Sequence, residues 1–83
     1  MIKAYAMLLD ATGYADAKEN HGNGYTLRVH LRGGRMIQGA VVRFDDRMLR
    51  LAVWEGDNDG VMQPTDVTAF IDVTEIAAVE VCW

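Results

Sequence analysis

The sequence predicts a mostly β fold: a small, closed or nearly closed five-stranded antiparallel barrel with one α-helix at its N-terminus. Three observations lead there. From residue 25 onward, apolar and polar residues alternate in short, β-branched runs. The links between those runs are tight and rich in glycine and aspartate. Before residue 13 the apolar spacing is helical instead.

The elements follow in order. Ile2, Tyr5, Ala6 and Leu9 stand at helical spacing, and Ala11-Thr12-Gly13 reads as the helix exit. Residues 14–24 are polar, and Asn20-His21-Gly22-Asn23-Gly24 reads as a loop. Tyr25, Leu27, Val29 and Leu31 then face one way, and Thr26, Arg28, His30 and Arg32 the other, as in a half-buried strand. Gly33-Gly34 makes a tight turn, since glycine reaches positive φ without penalty. Residues 35–44 form a long strand in which Gly39 marks a sharp bend or bulge. Asp45-Asp46-Arg47 is a turn. Residues 48–55 place Leu49, Leu51 and Val53 on one face. Residues 56–66 form an acidic loop, and residues 67–73 and 76–82 are two more strands around Thr74-Glu75. No repeat or linker divides the 83 residues, so a single domain, 1–83, accounts for them.

Composition narrows the function classes. At 51% hydrophobic and 24% charged, the chain is neither disordered nor collagen-like. No apolar run approaches the roughly 20 residues of a membrane span. The first ten residues lack a secretory pattern, and the single cysteine, Cys82, has no partner for an internal disulfide, so the cytoplasm is the expected compartment. A domain this short buries only about 60% of the surface its unfolded chain exposes. With no disulfide and no metal staple, its apolar half points to further burial in an oligomer.

Charge is uneven within the net −4. Residues 28–50 carry six arginines (28, 32, 35, 43, 47 and 50) against Asp45 and Asp46, a balance of +4. Residues 51–83 carry seven acids and no lysine or arginine, a balance of −7. Arginine suits bidentate phosphate contacts and stacking on bases, so one reading is a basic face for nucleic acid. The other is charge complementarity between the two halves, within one subunit or between neighbours.

Other constellations carry little chemistry. Glu55-Gly56-Asp57-Asn58-Asp59-Gly60, with Asp66 beyond, imitates a calcium loop. Its first position is Glu, its last is Asp, and strands flank it, so it reads as a solvated acidic loop. His21, His30 and Cys82 lack the paired spacing of metal ligands. There is no phosphate-binding glycine loop, and the chain contains no serine. Trp54 and Trp83 are candidates for base stacking or for packing. No catalytic residue, metal or cofactor is expected.

Leu31, Gly34, Gly39, Val41, Phe44, Asp45 and Met48 carry the spacing of the first motif of Sm and Sm-like (LSm, Hfq-type) proteins. That motif runs from leucine through two glycines to a phenylalanine–aspartate turn entering methionine. Residues Phe70-Ile71-Asp72-Val73-Thr74-Glu75-Ile76 stand where the family's second motif falls, and residues 56–66 where its variable loop falls. From about residue 25 to 82 the chain thus resembles a divergent Sm-like protein. Leu49 replaces the family's asparagine, Asp72 and Val73 replace its arginine and glycine, and the second motif of the Hfq-type RNA chaperones is absent.

The resemblance implies a strongly bent five-stranded Sm-like (SH3-like) barrel behind an N-terminal helix at residues 1–13. It implies a homo-oligomeric ring of about five to seven subunits, strand four of one pairing with strand five of the next. Val67, Ala69, Ile71 and Val73, with Ile76, Val79 and Val81, would form those strands. It implies uridine-rich or adenine-rich single-stranded RNA as partner, with Arg47 as the base-stacking residue and Arg43, Asp46 and Met48 beside it. The implied protein is non-enzymatic, with no cofactor, membrane or small-molecule substrate. The alternative is a structural or protein-interaction ring without RNA binding. Leu49 offers no hydrogen bond to a base edge, and Asp72 repels phosphate.

Overall fold

The computed structural model describes residues 2–18 and 24–83. Of the expected loop Asn20–Gly24, residues 20–23, His21 included, lie outside the described residues. Among the described residues one α-helix, α1 (Lys3–Lys18), precedes five strands: β1 (Thr26–Leu31), β2 (Met36–Phe44), β3 (Met48–Gly56), β4 (Met62–Asp72) and β5 (Ile76–Cys82). The strands form one antiparallel sheet in the order β4-β3-β2-β1-β5. The fold is therefore mostly β with an N-terminal helix, as expected. The sheet stays open. β4 and β5 are its edges, and no pairing joins them among the described residues.

Alternation sets the inner face. Leu27 and Val29 of β1, Leu49 and Leu51 of β3, and Val73 after β4 are fully buried, and Leu8 of α1 packs into the same cluster. Fully burying one such side chain stabilises by about 1.5–3 kcal/mol relative to exposure. Tyr25, Leu31, Ile37, Val41 and Phe44 are partly buried against this core, and the ring of Phe44 meets that of Tyr5 edge-on at 5.9 Å.

The helix differs from its expected form in length and in face. It does not stop at Gly13 but runs to Lys18. A Cβ at Gly13 would meet nothing within 4 Å, so this glycine is on an open surface. Glycine costs about 1 kcal/mol there relative to alanine, and the helix continues because Ala15 is completely buried beyond it. The buried positions are Ala4, Leu8 and Ala15, with Ala11 half-buried between them. Ile2 and Leu9, expected on the inner stripe, are 40% and 41% exposed. The helix packs on β5 and on the short 3-10 turn Val73–Glu75 before it.

The links obey local chemistry. Gly34 has φ 87°, which only glycine takes without strain, and its N–H donates to the Leu31 carbonyl at 2.9 Å. Gly39 is required for a different reason. A Cβ there would collide with the Ala52 carbonyl and lie 3.0 Å from Leu51 Cγ, so β2 and β3 approach more closely than any side chain permits. The acidic loop is shorter than expected, because β4 begins at Met62 and includes Pro64 and Asp66. Proline is tolerated because β4 is an edge, where an N–H is not needed on both sides. In the turn that remains, Asp57 Oδ1 accepts from the N–H groups of Asp59 (2.8 Å) and Val61 (3.0 Å). The described residues contain no group of three or more acidic, His or Cys side chains able to hold a metal ion. None of their helices is long and apolar enough to cross a membrane.

Candidate nucleic-acid interface

The sharp reversal between β2 and β3 needs a side chain that can satisfy turn N–H groups, and Asp45 supplies it. Its Oδ1 accepts from the backbone N–H of Arg47 and of Met48, each at 2.8 Å, while the Asp45 N–H donates to the Met48 carbonyl at 3.1 Å. Those two N–H groups, with the guanidinium charges of Arg43 and Arg47 nearby, hold the Asp45 carboxyl below the ordinary carboxylate range.

Asp72 does the same service at the link between β4 and β5. Its Oδ1 accepts from the Thr74 hydroxyl at 2.8 Å and from the Thr74 N–H at 2.9 Å, capping the 3-10 turn. These bonds, the hydroxyl's first, lower the Asp72 carboxyl as well. Asp72 thus has a structural use in this chain.

The two turns meet. The Val73 N–H donates to the Arg47 carbonyl at 2.9 Å. From the other side, the Arg32 N–H donates to the Glu75 carbonyl (2.8 Å) and the Arg32 Nε–H to the Thr74 carbonyl (2.9 Å). Residues distant in sequence, Arg32, Asp45–Met48 and Asp72–Glu75, are so gathered at one place. A shallow depression of about 440 Å³ opens beside it, with Lys3 and Arg32 among its lining residues.

The expected site residues divide as follows. Arg43, Asp46, Arg47 and Met48 are all exposed at or beside the β2–β3 turn. Leu49, the next residue, is fully buried and faces the core. Of the expected interface side chains, Val67 is 55% exposed, Ala69, Val79 and Val81 pack against the core, and Ile71, Val73 and Ile76 are buried within it. Contacts made at the β4 and β5 edges would therefore use their free backbone groups and outward side chains.

The arginines are distributed, not massed. Arg28 sits opposite Glu80 on β5, 3.6 Å from it, and His30 Nε2 lies 2.5 Å from the same carboxylate. The His30 bond, then Arg28, keeps Glu80 below its ordinary value. Among the described residues these are the ion pairs, and Arg32, Arg35, Arg43, Arg47 and Arg50 have no carboxylate within 4 Å. Among the described residues, an arginine–carboxylate pair between the two halves thus forms at Arg28 alone within the chain. Trp54 is half-buried in β3, and Trp83 is 61% exposed with its ring edge-on to Tyr25 at 6.0 Å.

Sequence alternation missed one feature. Arg43 of β2 lies directly opposite Arg50 of β3, which lies directly opposite Phe70 of β4. Strict alternation from Val41 would turn Arg43 inward. A register shift between Val41 and Arg43 turns it outward and brings Phe44 inward.

No family model matches the chain, and neither the curated proteins nor the solved structures compared with it give a match.

Proposed function

We propose that the chain is a non-enzymatic, Sm-like ring protein that binds single-stranded RNA, its bent open sheet serving as one barrel unit of the ring. One geometric fact supports the RNA assignment above the others: the β2–β3 and β4–β5 turns join at Arg47 and Val73, with Arg32 and Arg47 there and free of carboxylates among the described residues. These are the turns on which the Sm-like resemblance puts RNA contacts. Guanidinium groups suit them, pairing with phosphate and stacking on bases. The strand order supports assembly, because β4 and β5 are the two edges and an edge is a liability until something pairs with it.

A second reading, a ring that binds protein and not RNA, is favoured by Leu49. The residue at the family's base-contacting position is buried in the core and has no polar atom to offer. A titration of a labelled uridine-rich oligonucleotide at several salt concentrations separates the two. RNA binding that weakens steeply as salt rises supports the first, and no binding at low salt selects the second.

A further inference from the structure

We propose that the row Arg43–Arg50–Phe70, on the outer face of β2, β3 and β4, is a second contact for single-stranded RNA, in which a base stacks on Phe70 and the two guanidinium groups hold flanking phosphates. This inference rests on the RNA assignment above and extends it from the turns onto the sheet.

The row is an anomaly as a purely structural feature. Directly opposed residues of an antiparallel ladder project on the same face, and like charges so placed destabilise the pair. Neither guanidinium has a carboxylate within 4 Å among the described residues. The like-charged pair exists only because the register shift after Val41 aims Arg43 outward. Bulges, which re-aim side chains, are over-represented at sheet edges, at barrel rims and beside active sites.

Phe70 completes the chemistry. It is 61% exposed on an edge strand, and the Arg50 guanidinium carbon lies 5.1 Å from its ring centroid. An exposed aromatic ring beside paired cations is the arrangement by which single strands are held without sequence reading. The row also adjoins the turns already described: Arg50 is three residues from Arg47, about 10 Å along a strand, and Phe70 is two from Asp72. One strand can therefore run from the turns over the row. Two positive charges beside an exposed ring match the phosphates and the base of a nucleotide.

The test uses the full chain and a labelled uridine-rich oligonucleotide, with the mass of each variant followed by light scattering. Phe70→Leu keeps apolar area but removes the stacking face, and should weaken binding about tenfold with the mass unchanged. The double variant Arg43→Gln, Arg50→Gln should lower the slope of log affinity against log salt by about one to two. Unchanged affinity and slope in both, with Arg47→Ala still weakening binding, would overturn the row while sparing the RNA assignment. A loss of affinity that accompanies a fall in mass would overturn it too, making Phe70 a contact between copies. A wild-type chain that ignores RNA at low salt would overturn both.

Discussion

The N–H of Val73 donates to the carbonyl of Arg47 at 2.9 Å, tying the β4–β5 turn to the β2–β3 turn. The Arg47 backbone is fixed twice over, since its own N–H donates to the carboxylate of Asp45. Its side chain is left exposed on a rigid support. In the proposed function an anionic strand would meet a cation whose backbone is already fixed, and only the side chain would have to be ordered.

Arg47→Ala should weaken binding of a uridine-rich oligonucleotide and lower its salt slope by about one, since one phosphate or base contact is lost. Because only backbone atoms of Arg47 hold the turn, thermal stability should change by less than about 0.5 kcal/mol. Anisotropy titration beside a melting curve separates the two effects.

Acid should destabilise the fold through three carboxylates. Asp45, Asp72 and Glu80 are all lowered in the folded chain, so the unfolded chain binds protons more readily at each. Their contribution is complete above the ordinary carboxylate values, near pH 4, and is lost as pH falls through the lowered ones. Urea unfolding at pH 7 and at pH 3 should show this loss. Asp45→Asn and Asp72→Asn should each lower stability at pH 7 and flatten the acid limb.

Gly39→Ala should cost about 2–3 kcal/mol, because the new methyl group overlaps the Ala52 carbonyl and the backbones of β2 and β3 must part. Gly33→Ala is the control. A Cβ there meets nothing within 4 Å, and stability should stay within about 0.5 kcal/mol of the original. Denaturant midpoints of the two variants give the comparison.

Leu8→Ala should destabilise by about 2–5 kcal/mol, since Leu8 is fully buried and anchors α1 to the sheet. Leu9→Ala, on a residue 41% exposed, should cost far less. Equal effects would mean that the helix packs through its other face.

Much of the sheet was legible in the sequence, and the reasons it was not elsewhere are specific. Leu27, Val29, Leu49 and Leu51 could be placed inward because two-residue periodicity admits one solution once a face is apolar. Gly34 and Asp45 were legible because their turns demand a positive φ and a side-chain acceptor. The end of α1 was not, since Gly13 reads as a stop and only tertiary burial of Ala15 carries the helix past it. The start of β4 was hidden by Pro64 and Asp66, which suit a loop as well as an edge strand. Arg43 was legible as a basic residue but not as a neighbour of Arg50 and Phe70, because an irregularity in register leaves no periodic mark. The cap formed by Asp72 was likewise hidden, as a resemblance supplies an expected residue and not the use made of a substitute.

In the proposed assembly the β4 and β5 edges join copies of this chain into a ring that carries RNA. Light scattering coupled to size exclusion, with and without a labelled uridine-rich oligonucleotide at low salt, tests it most directly. A stable particle of about five to seven 9.2 kDa subunits that co-elutes with RNA and releases it as salt rises is expected. A monomer of 9.2 kDa that elutes apart from the oligonucleotide would contradict it.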